Sequence, residues 1–329
     1  FKQKTAYEIR LSLVGSEMCI RDRLPYLTPP REVFSHKGVS IACFDVGGPN
    51  LDEEIVGSFG SEWRKFGWFS DEAIDTAAAE YFDLLPEAQL EGVGHALDVG
   101  CGSGRWSRYL SKRVGFVESV DPSEAVLSAS ELNRDRPNVR VTRASIDEIP
   151  FADGSFDLAI CLGVIHHLPD PTLALSRVVS KVRVGGRVLV YVYYQLDERG
   201  PLYRGLFTLA DLVRKVVSAL PSPLKGWVCD LLACVIYLPL VGFARLVASA
   251  PGAGTVVERM PLAYYRNKSL REIRTDALDR FGTAVERRFT RKEFVDMMEA
   301  AGLEDIAVSP RMPFWHGVGR RPDGNSTLR

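Results

Sequence analysis

The sequence predicts an α/β protein built on a doubly wound, mostly parallel, seven-stranded sheet. Three observations predict it. From residue 95 onward, short apolar runs alternate with helix-length amphipathic segments, the pattern of βαβ units with helices on both faces of a sheet. The first run, "HALDV", leads straight into a turn with glycine at 100, 102 and 104. The alternation stops at Gln195 and resumes only near residue 291, so a helical insertion interrupts the sheet domain.

The elements follow in order. The stretches "KQKTAYEI" (2–9) and "LVGSEMCIRD" (13–22) resemble translated sequencing-adaptor sequence, so residues 1–23 are set aside as non-native. Residues 24–90 read as an N-terminal helical segment, with Ser70 and Asp71 as cap candidates for a helix over 73–85. Its aromatic run "EWRKFGWF" reads as packing onto the core, with an aromatic gate as the second reading. Strands are predicted over 95–99, 117–120, 139–143, 156–162 and 187–194, with helices over 105–114, 122–133 and 171–182 between them. A helix over 292–301, stopped by Gly302, precedes two more strands, "LEDIAVS" (303–309) and "FWHGVG" (314–319). Residues 321–329 read as a tail.

Within the insertion (197–290), Leu202, Leu206, Leu209, Leu212, Val213, Val216, Val217 and Leu220 recur at helical spacing. A second helix, about 224–247, is apolar on every side between Asp230 and Arg245, with a break or kink expected at Pro239. A membrane span takes roughly 20 apolar residues. The uninterrupted run is shorter, so the expected role is a buried or lid helix, with peripheral membrane contact through 224–247 as the second reading.

Bulk properties exclude several classes. The 329 residues carry a formal net charge of -1, with a pI near 6.6, which leaves no strong field for nucleic acid. Six cysteines form no CxxC pair, so neither zinc nor a disulfide framework is expected, and the cytoplasm is the default compartment.

The glycine turn carries the chemistry. A dinucleotide turn needs G-x-G-x-x-G, but Arg105 stands where the third glycine belongs. Asp98, two residues before the first glycine, would repel a pyrophosphate, and no Gly-Lys-Ser/Thr follows for a P-loop. An adenosine-bearing cation meets both objections, with Asp121 placed to bond ribose hydroxyls or to cap the helix after Pro122.

Four segments, "ALDVGCGSG" (96–104), "VDPS" (120–123), "IPFADGSFDLAICLGVIHHLPD" (149–170) and "VRVGGRVLVY" (182–191), occur in the order and spacing of one family. The chain resembles the class I S-adenosylmethionine-dependent methyltransferases over about 95–195 and 291–320. The resemblance implies a Rossmann-like fold and S-adenosyl-L-methionine as cofactor, with no metal. It implies that Asp98, Gly100, Cys101, Gly102 and Gly104 line the methionine moiety, while Asp121 and Pro122 hold the ribose. Ser145, followed by Ile146, stands where many relatives have an acid for the adenine amino group. Cys161, Leu162 and Gly163 stand where relatives present backbone carbonyls to the methionine ammonium. Asp157 is expected to be structural.

Methyl transfer needs alignment and exclusion of water more than a dedicated base. For a hydroxyl acceptor, His166, His167 and Tyr194 are the candidate catalytic residues, at the carboxyl edge of the sheet, with Tyr193 the other member of the tyrosine pair. Tyr264, Tyr265, Arg266, Arg274, Asp276 and Arg280 form a polar cluster suited to an acidic head group or to a solvated connector. The expected function is in-line methyl transfer to a small-molecule or lipid-like acceptor. The alternative is a non-catalytic S-adenosylmethionine-binding module whose insertion contacts a membrane or a partner.

Overall fold

The computed structural model describes residues 23–66, 69–195, 201–250, 256–257, 260–282, 287–311 and 315–323. The adaptor-like 1–22 and most of the expected tail lie outside the described residues. So do the side chains of Phe66 and Trp68 in the aromatic run and of Asp276 in the polar cluster. The chain divides into two compact units, one of residues 1–194 with 287–329 and the other of 195–286.

The first unit is built on one nine-stranded sheet, β1-β2-β5-β4-β3-β6-β7-β9-β8 in spatial order. Strand β3 is His95–Val99, β4 Phe116–Asp121, β5 Val139–Arg143, β6 Phe156–Leu162 and β7 Val182–Tyr191; β8 is Glu304–Val308 and β9 His316–Arg320. Strands β3 to β7 are parallel neighbours, while β9 runs antiparallel to both β7 and β8. The expected count of seven is corrected to nine. A hairpin, β1 (Glu32–His36) and β2 (Val39–Cys43), adds two strands at the β5 edge, within a segment that reads as helical in sequence. Lys37 and Gly38, both at positive φ, make its tight turn.

Helices cover both faces because each carries one apolar stripe. On one face α5 (Pro171–Lys181) and α10 (Arg291–Ala300) pack on the inward residues of β6 and β7, with Phe151, Phe156, Leu175 and Phe294 completely buried. On the other face α2 (Asp71–Tyr81) and α3 (Arg105–Leu110) bury Ile74, Phe82 and Leu110 against Leu158, Ile160 and Leu189. Local signals fix the helix starts: Ser70 Oγ accepts the Ala73 N–H, Asp170 accepts that of Leu173, and Thr290 with Glu293 closes a capping box. Asp157 is structural, as expected; its Oδ2 accepts the Gly94 and His95 N–H groups and ties β6 to the start of β3.

The second unit is helical. Helix α6 is Pro201–Ser218, α7 Ser222–Leu232, α8 Leu238–Ala248 and α9 Leu270–Gly282. Its core gathers Val217, Cys229, Ala233, Tyr237, Val241, Ile273, Ala277 and Phe281. Of the break or kink expected at Pro239, no break occurs, and the helix is irregular just before the proline. A π-helical turn over Ala233–Tyr237 joins α7 to α8, and Pro239 sits in the first turn after it, where its missing N–H costs least. The second helix is apolar on every side but is not buried on every side. Only the stripe of Cys229, Ala233, Tyr237, Val241 and Ala244 is buried, while the opposite side is exposed.

Candidate functional site

The strand order reverses between β3 and β6, and open α/β sheets bind ligands outside the carboxyl ends of the strands at such a switch point. The glycine turn leaves β3 there. Gly100, Gly102 and Gly104 have φ of +68°, +52° and +78°, conformations that side chains resist. Space is restricted as well. A Cβ on Gly100 would lie 2.4 Å from Val164 Cγ2, and one on Gly104 would lie 2.6 Å from Asn133 Nδ2 and 3.0 Å from Ala129 Cα in α4 (Ala125–Leu132). At Gly102 the neighbour is the Trp63 indole, 3.1 Å away.

Two buried carboxylates underlie the turn. Asp121, at the end of β4, accepts the Gly102 N–H at 3.0 Å on one oxygen and the Ser123 N–H and O–H at 2.9 and 2.6 Å on the other. It therefore ties the middle of the turn to the bend at Pro122–Ser123; the next helix starts after Glu124 without a side-chain cap, so Asp121 does not play the capping role anticipated for it. Asp98 accepts the Ser107 hydroxyl at 2.5 Å, and Ser107 is in turn supported by Ser119 at 2.7 Å. Burial pushes the Asp98 carboxyl up to about 7, Ser107 opposes that rise, and the nearby Asp121 adds to it. A carboxylate so placed gains most from a cation. The sulfonium and ammonium groups of an adenosyl cofactor would supply that cation.

An aromatic cover comes from a segment that sequence patterning treats as plain packing. Helix α1 (Glu53–Phe66) brings Trp63 over Gly102 and Phe59 to 4.9 Å from the His167 ring. Arg105 lies against Trp63, Phe69 and Trp106, its guanidinium carbon 5.7, 5.7 and 4.4 Å from their rings. The loop before α1 is fastened by Asn50, which is buried. Its backbone and side-chain N–H groups donate to Asp147, and its Oδ1 accepts the Asp170 N–H. Sequence reasoning missed Asn50, Phe59 and Asp147. The one available signal was the aromatic density of 59–69 beside a glycine turn.

The remaining expected cofactor-side residues are placed as follows. Ser145 is buried and donates its hydroxyl to the Gly47 carbonyl at 2.7 Å, which ties the chain just after β5 to the loop before α1. Ile146 is buried in the core cluster, and Pro122 accepts from Arg143 through its carbonyl. Cys101, Cys161 and Leu162 are buried, and burial pushes both thiols up, so neither is a nucleophile. Gly163 turns the chain after β6 at φ +82°.

On the acceptor side His166 and His167 are both buried, with ring centroids 4.0 Å apart. His166 stacks 4.1 Å from Tyr193, and neither of its ring nitrogens has a hydrogen-bond partner among the described residues. Burial, with His167 and Arg288 nearby, holds its imidazole well below the usual range, so it stays neutral. Tyr194 packs against the core, its ring 6.2 Å from that of Trp315, and bridges to Phe289. Tyr193 takes the place expected of Tyr194, because alternate residues at a strand end point to opposite sides. The polar cluster of the second unit is partly a structural device, since Arg274 forms a bidentate pair with Asp230 at 2.8 and 2.7 Å.

Comparison with known proteins converges on the same region. Residues 97–190 match the family model described as a methyltransferase domain. The chain is 33% identical over 145 residues to a tRNA U34 carboxymethyltransferase of Campylobacter curvus, covering 42% of this chain and 48% of that protein. It is 34% identical over 100 residues to a ubiquinone biosynthesis O-methyltransferase of Marinobacter nauticus, covering 29% of this chain and 42% of that one. The chain thus spans about half or less of the length of these relatives. Among solved structures, the YcgJ protein of Bacillus subtilis aligns over 70% of both chains with a TM-score of 0.43 and 18% identity. Residues 97–190 are thus similar to a methyltransferase domain, in agreement with the resemblance of the four motifs to the class I S-adenosylmethionine-dependent methyltransferases.

Proposed function

We propose that this protein transfers a methyl group from S-adenosylmethionine to a hydroxyl on a small-molecule or lipid-like acceptor. The observation that carries this reading is the pair of buried acids, Asp98 and Asp121, under a glycine turn roofed by Trp63. The cofactor supplies an activated sulfonium methyl group. The chain's residues bind, orient and keep water out. Asp98 and the turn Gly100–Gly104 hold the cationic amino-acid end, Asp121 fixes the turn beside the ribose position, and Ser145 and Ile146 border the adenine end. Gly163 and the carbonyls of Cys161 and Leu162 face the ammonium position. Trp63 and Phe59 exclude solvent above.

His166 suits a hydroxyl acceptor because a neutral, unpartnered imidazole can take the proton that the hydroxyl releases. Tyr193 holds that ring in place by stacking, and His167 packs beside it. The two relatives named above differ in acceptor, one named for a tRNA position and the other for ubiquinone biosynthesis. The ubiquinone relative is an O-methyltransferase, which agrees with an imidazole on the acceptor side. The net charge of -1 favours a small acceptor over nucleic acid.

Calorimetry with S-adenosylmethionine and a methyl-labelled cofactor assay on lipid and phenolic extracts test the reading. Asp121→Ala should weaken cofactor binding by roughly 1 to 3 kcal/mol. His166→Ala should leave cofactor binding within about threefold and lower turnover about a hundredfold. Unchanged affinity in Asp121→Ala, or unchanged turnover in His166→Ala, would overturn the corresponding assignment.

A further inference from the structure

The helical unit contains one continuous helical stretch that is far more apolar on its outside than a water-facing helix needs to be. From Leu224 to Ala248 it runs 25 residues, long and apolar enough to cross a membrane by length and composition. The buried stripe recurs every three or four residues and faces α9. On the other side stand Trp227 (79% exposed), Leu231 (61%), Val235 (63%), Phe243 (56%) and Leu246 (69%). Helix α6 adds a second exposed stripe, Leu209, Leu212 and Val216, at spacings of three and four. Apolar surface this continuous marks an interaction site on a folded protein.

Which partner covers it follows from the back of the helix. Asp230 pairs with Arg274 of α9, and α9 also carries Arg271, Glu272, Asp276, Asp279 and Arg280. A helix crossing the bilayer with α9 attached would carry those charges into hydrocarbon, which is costly for each of them. A helix lying in the plane of the interface keeps them in water and sinks only its outer face, by about 5 to 10 Å. Charge agrees. Residues 195–286 hold twelve Lys and Arg against nine Asp and Glu, a net +3 within a chain of net charge -1, so the rest of the chain carries -4. Lys225 and Arg245 stand near the two ends of the apolar band, and Trp227 has the amphipathic ring that favours the headgroup level.

We propose that the unit 195–286 docks on an anionic lipid bilayer, with the outer face of the 224–248 helix embedded in the plane of one leaflet. The test uses the full chain and floats it with vesicles of phosphatidylethanolamine and phosphatidylglycerol, with pure phosphatidylcholine vesicles alongside. The protein should float with the anionic vesicles, less with phosphatidylcholine, and less again at high salt. The quadruple variant Trp227→Ser, Leu231→Asn, Phe243→Ser, Leu246→Asn alters exposed positions only. It should keep the wild-type melting temperature and partition at least about a hundredfold more weakly. A fluorophore on Val235→Cys in a Cys234→Ser background should be quenched by bromine near the headgroups more than by bromine at the bilayer centre.

Three results would overturn the proposal. One is flotation of the variant equal to the wild type. Another is stronger quenching from the bilayer centre, the sign of a span. The last is a dimer that the variant dissolves in a protein that never floats, which would mean that a second copy covers the face. Cofactor titration reads the methyl-transfer site independently, so failure of either proposal leaves the other standing.

Discussion

Strand β6, "FDLAICL", and the helix "DLLACVIYLPLVGFAR" are comparably apolar, yet they meet water very differently. Every residue of β6 except Asp157 is buried, because helices cover both faces of the sheet there. The helix buries one stripe and leaves the rest out. The same composition has two fates, and what decides between them is the number of covered faces. In the first unit apolar residues hold a framework that positions a few buried polar groups. In the second they form a surface.

The largest expected effect tests the covered side of that contrast. Phe156 is fully buried between Phe151 and the β7 strand, so Phe156→Ala should destabilise the first unit by about 3 to 5 kcal/mol in urea titrations. A loss below about 1 kcal/mol would mean that this face is loosely packed. Gly100→Ala comes next. Its Cβ would stand 2.4 Å from Val164 Cγ2 at a φ of +68°, and a cost of about 2 to 4 kcal/mol is expected. Adding Val164→Ala should return the steric part of that cost and leave the backbone part, a double-mutant signature that a general folding defect would not give.

The two units were also unequally legible in the sequence. Wherever a residue has both a periodic position and a local chemical role, as with Asp157, the Ser70 cap or the three glycines, sequence reading places it. Asn50 carries no local signal, and Trp63 carries only that of the aromatic run around it. Their roles arise because the chain returns over the carboxyl edge of the sheet, which is a tertiary fact. The hairpin 32–43 was hidden for a related reason. Its strands pair with each other, and β2 pairs with β5 some hundred residues away in sequence; β1 is largely exposed and β2 ends in three consecutive buried residues, so neither alternates cleanly. Tyr193 and Tyr194 differ by one position, so a single residue of register decides which one meets His166. At Pro239 the proline alone allows either a break or a kink, and a π-turn just before it leaves the helix unbroken.

Asp98 offers a way to sharpen the contrast through pH. Below about pH 4 both folded and unfolded states hold its proton, and the group contributes nothing. As pH rises the unfolded carboxyl ionises at its ordinary value, while burial keeps the folded one protonated up to about 7. The group therefore destabilises the cofactor-free protein progressively through that window, and fully above it. Asp98→Asn removes the penalty. It should raise stability by about 1 to 3 kcal/mol near pH 8, leave it nearly unchanged near pH 4, and weaken S-adenosylmethionine binding. Calorimetry in buffers of different ionisation enthalpy should also show proton release when the wild type binds the cofactor near neutral pH. A variant equally stable to the wild type at both extremes would remove Asp98 from the electrostatics of the site.

The smallest effect is expected at Leu231, and its smallness is informative. A leucine of the sheet core loses its transfer free energy and leaves a cavity when shortened. Leu231 is 61% exposed on the outer side of the helix, so Leu231→Ser gives up little burial and opens no void. Its effect on urea stability should stay within about 0.5 kcal/mol. The same substitution removes apolar surface from the proposed lipid contact, where the side chain would leave water completely, and should weaken vesicle partition by about tenfold. Selection for stability alone has no use for a leucine there, whereas a leucine that matters only at a bilayer has this profile: silent in solution, felt on the membrane. A stability loss near that of Phe156→Ala would instead place Leu231 inside a packed core, and the contrast between the two units would disappear.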